Sequence, residues 1–409
     1  MTLGFIIKAL GAFMELGLPW ILAYIIDDII PTEETSMILV FGAVMILLAI
    51  GARTFNIMAN RMASKVARDS VETLRHDLFH KIFSLSASQV DYYSIPSLEA
   101  RMTTDTYHIH HMIGMMQRMG VRAPINLIGG IIITSTLEPI LTLVLASVLP
   151  FMAIIVFLVT KKGVPLYTQL QDKVDKLIRV VRENISGVRV IKSLSKTQYE
   201  KNRFRQVNDE VIEKELKAGT TMAMTNPSMN LLLNLGLTLV IIVGAYRVNS
   251  GASLPGKIVA FMSYFTIMLH AVMAISRMFV VSSRGIASAN RITQILASEE
   301  DLKEIDEKKE ISSNDDDYHI RFNHVYFSYH TEPFMKDIDF GIKKGESLGI
   351  IGSTGAGKTT IINLLMRFYD VDEGSVMING KDVRGFDKIK LRRKFGVVFQ
   401  NDILFADTI

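Results

Sequence analysis

Two long stretches without a charged residue constrain the fold of this 409-residue chain more than any other feature of its sequence. Neither Pro139–Thr160 nor Ala218–Tyr246 contains Lys, Arg, Asp or Glu. About 20 apolar residues are needed for a helix to cross the hydrocarbon of a bilayer. Because the bilayer offers no water to exposed backbone groups, both stretches predict membrane-spanning helices.

Four further apolar segments bring the number of predicted spans to six. Leu3–Ile26 is weaker because Lys8 and Glu15 interrupt it. We therefore predict an all-α membrane domain of six helices. Its predicted spans are Leu3–Ile26, a helix beginning within Ser36–Ala52, Ala123–Leu137 with an N-terminal extension, Pro139–Thr160, and helices within Ala218–Tyr246 and Ile258–Ser276.

The positions of Lys and Arg predict the orientation of these spans. Arg61–Arg101 and Lys161–Lys217 are rich in basic residues, whereas the connection at Asp27–Ser36 has none. Basic loops are retained on the cytoplasmic side. Both basic segments are also rich in helix formers, so Arg61–Leu85 and Leu166–Ala218 are expected to continue the spans into the cytoplasm as helices.

Each pair of helical extensions is expected to be joined by a short irregular piece, Asp91–Pro96 in one case and Ser193–Gln198 in the other. Such hairpins could contact a cytoplasmic domain; the alternative is solvated helices without a partner.

Composition excludes several classes of function. The chain has no cysteine, so it contains neither disulfides nor thiolate chemistry. Its formal net charge is only +4, which does not indicate a nucleic-acid partner. The apolar N-terminal stretch is too long for the core of a signal peptide.

After the last span the sequence changes character twice. The boundaries we predict are a membrane domain at 1–297, a charged linker at 298–317 and a soluble α/β domain at 318–409. The strands expected in that domain are His319–Val325, Ile338–Ile342, Ser347–Ile351, Ser375–Ile378 and Phe395–Phe399.

Between one predicted strand and a helical run lies a G-x-x-x-x-G-K-[ST] motif. Its glycines allow successive backbone N–H groups to face one anion. Lys358 can reach the β- and γ-phosphates of a nucleoside triphosphate, and the Thr359 hydroxyl can ligate Mg²⁺. The predicted nucleotide-binding residues of this phosphate loop are Gly352, Ser353, Thr354, Gly355, Ala356, Gly357, Lys358, Thr359 and Thr360.

The arrangement of six spans, helical extensions, linker and phosphate loop resembles the ABC exporters, which implies a partial P-loop NTPase domain. Phe322–Tyr329 is similar to the adenine-stacking loop of that family and Val397–Phe405 to its Q-loop. The resemblance implies that Tyr329 lies against the adenine of ATP, and that Gln400 joins Lys358 in catalysis and Thr359 at Mg²⁺.

Three shorter segments resemble the heterodimeric multidrug exporters of Gram-positive bacteria: Met119–Pro124, Asn226–Asn234 and Ser288–Ile292. The resemblance implies a second half-transporter as partner, either identical or different, with a different chain favoured. It also implies a location in the cell membrane, with a small amphiphilic or drug-like substrate and coupling through Asp91–Leu98 and Ser193–Lys201.

The chain departs from the family pattern because no signature motif and no Walker B motif follow Val397–Phe405. We expect a fragment that contacts Mg-ATP without turnover. Two alternatives stay open: a non-catalytic nucleotide-binding membrane subunit or inert fragment, and a P-loop kinase or GTPase with a membrane anchor.

Charged and methionine side chains within the spans are the candidates for substrate contact, and each charged residue is also a candidate for a gating pair. Glu15, Arg53 and Arg122 are expected to face the bundle interior or an aqueous cavity, although either arginine could instead reach the headgroups. The methionines suit a cavity for varied apolar compounds, or else pack between helices. They are Met112, Met115, Met116 and Met119 on span three, and Met262, Met268, Met273 and Met278 on span six.

Overall fold

The computed structural model of the chain describes residues 2–299, 302, 318–329 and 332–398. Packing divides it into two compact units. The first, which we call the membrane unit, comprises Met1–Ser70 and His108–Ile286; the second comprises Val71–Tyr107 and Ala287–Ile409. The predicted linker Ser298–Asp317 lies almost entirely outside the described residues, and the three predicted boundaries stay predictions.

Six helices in the described part of the chain are long and apolar enough to cross a membrane, which confirms the predicted number of spans. Several continue far beyond the length that a bilayer requires, as expected for cytoplasmic extensions. The helices are α1 (Thr2–Tyr24), α2 (Thr35–Ser84), α3 (Ala87–Tyr93), α4 (Ile95–Ala100), α5 (Thr106–Leu137), α6 (Pro139–Ser186), α7 (Val188–Ser193), α8 (Thr197–Ala223), α9 (Thr225–Asn249) and α10 (Pro255–Leu296).

The predicted irregular joints are shorter than expected. In the first joint, helix continues through Tyr93 and resumes at Ile95, so that only Ser94, with φ of +63°, interrupts it. Pro96 does not break α4 because it lies in the first turn, where its missing N–H has no intrahelical partner to lose. In the second joint, three residues separate α7 from α8.

The core of the membrane unit joins α1, α6, α9 and α10. Leu16, Leu145, Met229 and Phe265 are among its fully buried members. Small residues allow the close approach: a β-carbon at Gly236 of α9 would lie 2.3 Å from the Phe265 ring of α10. Small side chains at helix contacts are typical of membrane bundles, where packing replaces the hydrophobic effect as the driving force.

Several polar groups of the membrane unit are paired across helices. The Asp27 carboxylate accepts hydrogen bonds from the backbone N–H groups of Gly256 and Lys257, at 2.6 and 3.0 Å, and so caps the first turn of α10. The Tyr264 hydroxyl donates to the Leu16 carbonyl oxygen at 2.6 Å. These bonds fix α1 and the π-helical segment Ile25–Ile29 that follows it against α10.

The second unit contains α3, α4, the end of α10 and a four-stranded antiparallel sheet. Its strands are β1 (Ile320–Phe327), β2 (Met335–Ile342), β3 (Glu373–Ile378) and β4 (Lys381–Asp382), in the order β2-β1-β3-β4. Two short helices, α11 (Lys358–Leu365) and α12 (Lys388–Arg392), accompany it. Phe322, Val325 and Leu364 lie in the core between sheet and α11.

The predictions of two strands are wrong, as judged from the residues that the structure describes. Ser347–Ile351 and the described part of Phe395–Phe399 form no β-ladder. Their composition suits a strand, but a ladder also needs a neighbour to accept its backbone hydrogen bonds. Ile351 is 99% exposed and Val398 87% exposed, so neither segment is packed against the sheet.

The close contact between α9 and α10 can be tested by adding one methyl group. We expect Gly236→Ala to lower the midpoint of thermal unfolding in detergent, because the buried Phe265 ring must move and overpacking costs about 1–3 kcal/mol. Gly219→Ala on α8 is the control, since no atom lies within 4 Å of its added methyl group. Equal midpoints for the two variants would contradict the packing.

Candidate phosphate and coupling site

The phosphate loop Gly352–Thr360 turns on two glycines. Gly355 and Gly357 have φ of +88° and +87°, values that residues with a β-carbon rarely adopt. Gly357 is also the N-cap of α11, so Lys358 begins the helix. The free N–H groups at this helix start and its dipole both favour an anion.

The Lys358 side chain folds back across the loop. Its ammonium group donates hydrogen bonds to the carbonyl oxygens of Gly352 and Ser353, at 2.9 and 2.7 Å. The cation is thereby held over the turn whose N–H groups would receive phosphate oxygens. The exposed Thr359 follows it in the first turn of α11, where its hydroxyl is accessible. The residues present therefore fit a phosphate chain with an accompanying cation.

Tyr329 lies beside the phosphate loop. Its hydroxyl is 2.9 Å from the Thr360 hydroxyl, and its ring meets those of Phe327, Phe334 and Tyr369 with centroids 4.8, 5.4 and 5.2 Å away. The side chain is 38% exposed, so part of the aromatic surface is accessible to a planar ligand. The sequence motif thus indicated a residue that is close to the loop in space.

Tyr369, which the sequence did not point to, joins this aromatic cluster to the first predicted coupling segment. Its hydroxyl donates a hydrogen bond to the Asp91 carboxylate in α3, at 2.5 Å. Burial, together with this hydrogen bond to a carboxylate, raises the pKa of the Tyr369 phenol above its ordinary value. Neutral Tyr369 is therefore the donor over the physiological pH range.

Helix α3 is also attached to the end of α10 and the residues after it. The Tyr93 hydroxyl donates a hydrogen bond to the backbone carbonyl oxygen of Gln294 at 3.3 Å. The Gln89 side-chain amide donates one to the backbone carbonyl oxygen of Glu299 at 2.6 Å. Helix α3 is therefore hydrogen-bonded both to the end of α10 and to the phosphate-loop domain. No spacing rule could have revealed these contacts, because each joins residues about 200 or more positions apart.

The remaining predicted site residues lie elsewhere. Gln400, expected near Mg²⁺, is outside the described residues. The second predicted coupling segment, Ser193–Lys201, belongs to the membrane unit, where α7 ends and α8 begins. Of the charged residues predicted for the spans, Glu15 and Arg122 meet in an ion pair, whereas Arg53 is exposed on α2.

Comparison with protein families assigns both parts of the chain. Residues 1–272 match the ABC transporter transmembrane region, and residues 335–409 match the ABC transporter domain that accompanies it. The chain belongs to the ABC transporters. It is a multi-pass membrane protein of the half-transporter type, and half-transporters of this family generally form dimers.

Known relatives align with nearly the whole chain. An uncharacterized ABC transporter ATP-binding protein of Mycobacterium bovis is 31% identical over 98% of this chain and 69% of its own length. The ATP-dependent lipid A-core flippase of Syntrophus aciditrophicus is 27% identical over 94% of this chain and 64% of its own. A fatty acid ABC transporter ATP-binding/permease protein of M. bovis is 26% identical over 85% and 55%.

A solved structure shares the fold. A bacterial Atm1-family ABC exporter with ATP bound superposes with a TM-score of 0.76, at 18% identity, over 99% of this chain and 72% of that one. This confirms the predicted fold class, a six-helix exporter membrane domain followed by a small sheet-containing nucleotide-binding domain.

The hydrogen bond between Tyr369 and Asp91 should stabilise α3. We expect Tyr369→Phe to speed amide hydrogen exchange within Ala87–Tyr93 about fivefold, since a net hydrogen bond contributes about 1 kcal/mol. Tyr326→Phe is the matched control, because no hydrogen bond joins that hydroxyl to another described residue. Unchanged protection of α3 in Tyr369→Phe would show that the contact does not hold it.

Proposed function

We propose that this chain is a subunit of an ABC exporter that couples ATP binding and hydrolysis to outward movement of an amphiphilic or drug-like substrate. The observation that carries the proposal is the continuity between Tyr329 at the phosphate loop, Tyr369 beside it and Asp91 in α3. A ligand that rearranges the Tyr329 ring acts on Tyr369, and Tyr369 is bonded to a segment that leads directly into a span.

ATP is the nucleotide that we assign to this site. The backbone N–H groups of the phosphate loop and Lys358 would hold its phosphates, Tyr329 its adenine, and Thr359 the Mg²⁺. The cation supplies charge neutralisation at the β- and γ-phosphates when bound. Gln400 keeps the proposed role of a polar contact near that cation. Binding would draw Lys358 away from the carbonyl oxygens of Gly352 and Ser353.

A second half-transporter completes the proposed assembly. Six spans form one half of a pathway, and we favour a different partner chain because of the resemblance to heterodimeric exporters. The proposed location is the cell membrane, with the phosphate loop in the cytoplasm where the basic helical extensions lie.

The class of substrate is proposed from the relatives. One of them is a lipid A-core flippase and another a fatty acid transporter. Both names refer to amphiphiles, which supports an amphiphilic substrate for this chain.

Nucleotide binding is the activity to measure first, because the phosphate loop and Tyr329 are the parts of the proposed ATP site that the structure describes. We expect the chain in lipid nanodiscs to be photolabelled by 8-azido-ATP, with unlabelled ATP as competitor. Lys358→Ala should weaken labelling by about tenfold or more, because it removes the cation that faces the phosphates.

Lys344→Ala is the matched control, since it removes an exposed lysine of the same domain outside the loop. Equal labelling of Lys358→Ala and the unaltered chain would contradict the assignment. Stronger competition by GTP than by ATP would contradict the assignment of ATP to this site.

A further inference from the structure

Arg367 has one of the largest side chains that are completely buried in the described part of the chain. It follows α11 and lies two residues before Tyr369, in the connection that leads to β3. Arginine is almost never fully buried unless it is paired, because removal of a charge from water is costly. The proposed nucleotide contacts make no use of this residue, so its position needs another explanation.

The backbone conformation of Arg367 is also unusual for its residue type. Its φ is +52°, in the left-handed region that glycine adopts more readily. The Arg367 N–H donates a hydrogen bond to the backbone carbonyl oxygen of Leu364 at 3.0 Å. The Phe368 N–H donates one to the backbone carbonyl oxygen of Asn363 at 2.8 Å. This pair of bonds forms the Schellman motif that ends many helices, with arginine at the position where glycine is preferred.

The Arg367 guanidinium makes contacts that glycine could not make. Its Nε donates a hydrogen bond to the Asp370 carboxylate at 2.9 Å. Its Nη1 donates to the backbone carbonyl oxygen of Arg384 at 3.0 Å, and the carbonyl oxygen of Phe386 lies 3.5 Å from the same nitrogen. The turn at residues 367–370 is thereby attached to the segment that precedes α12.

Arg392 of α12 holds the same turn through its backbone. Its Nη2 donates a hydrogen bond to the carbonyl oxygen of Arg367 at 3.0 Å, and its Nε donates one to that of Met366 at 3.3 Å. Its guanidinium also lies 4.8 Å from the centroid of the Phe368 ring, within the range of a cation–π contact. Two arginines therefore fix the residues that follow α11.

Tyr369 lies within this turn, and the residues before and after it are each held by one of the two arginines. Its hydroxyl donates a hydrogen bond to Asp91 of α3 at 2.5 Å. Its ring centroid lies 5.2 Å from that of Tyr329. Because one side chain makes both contacts, a change in the backbone of the turn would displace it from both neighbours.

We propose that Arg367 is a positioning residue for Tyr369 in the contact between the nucleotide site and α3. Its bonds to Asp370 and to the segment before α12 hold the turn in the conformation that both contacts of Tyr369 require. Arginine stands in place of glycine because this position needs the side chain as well as the turn. The inference rests on the proposed function, because that function depends on the same contact between Tyr369 and Asp91.

The test measures amide hydrogen exchange within Ala87–Tyr93 for the 409-residue protein in lipid nanodiscs. Asp370→Asn removes the negative charge that pairs with Arg367, at a side chain that is 30% exposed. We expect exchange within Ala87–Tyr93 to become about threefold faster, because the loosened turn weakens the bond between Tyr369 and Asp91. Arg367→Lys, which keeps the charge but not the fork of donors, should have the same effect.

A double-mutant cycle distinguishes the positioning of Tyr369 from a general loss of stability. If Arg367 acts through Tyr369, Asp370→Asn should change exchange within α3 by less than about 1.5-fold once Tyr369→Phe is present. Exchange within β1 should stay within about 1.5-fold of that in the unaltered chain for either Asp370→Asn or Arg367→Lys. A merely structural role would instead affect β1 and α3 alike.

Asp372→Asn is the matched control, since it changes an exposed aspartate two residues further along the chain and should leave exchange within α3 unchanged. Equal exchange of α3 in Asp370→Asn and Asp372→Asn would overturn the proposal. So would an undiminished effect of Asp370→Asn in the Tyr369→Phe background, or a rise of the same size within β1.

Photolabelling by 8-azido-ATP separates this inference from the proposed function. Absence of labelling in the unaltered chain refutes the proposed function and leaves the positioning of Tyr369 intact. Labelling of the unaltered chain together with unchanged exchange of α3 in Asp370→Asn does the reverse.

Discussion

The absence of water from the hydrocarbon of a bilayer is the constraint on which the membrane unit depends. Every backbone polar group there needs a partner within the protein, and a charged side chain is costly there without one. Long helices satisfy the backbone, and two charged groups are paired across helices: Glu15 with Arg122, and Lys8 with Asn56 and Asn60. These pairs also determine which helices are neighbours, because each joins two different spans.

The second unit depends on a different requirement: the backbone N–H and C=O groups of each strand need hydrogen-bond partners on a neighbouring strand. β1 is paired on both sides, with β2 and with β3, and supplies Phe322 and Val325 to the core. The phosphate loop is positioned by this core through α11, whose Leu364 is fully buried. The geometry of the loop itself depends on Gly355, Gly357 and Lys358. The described residues directly before the loop, 347–351, form no β-ladder.

The spans and the phosphate loop could be predicted from the sequence because their signals are local. The apolar run Pro139–Thr160 and the glycine and lysine spacing of the loop are each contained in one short contiguous segment of the sequence. Tyr329, whose hydroxyl is 2.9 Å from that of Thr360, was indicated only by a family motif, and its contact with adenine stays a prediction. The strand at Ser347–Ile351 was predicted wrongly, since local propensity does not reveal whether a neighbour exists.

Pairs between distant residues could not be predicted. Charge inside the spans indicated that Glu15 and Arg122 avoid lipid, but not that they meet, because 107 positions separate them. Tyr369 and Asp91 are separated by 278 positions, and neither residue type is unusual where it occurs.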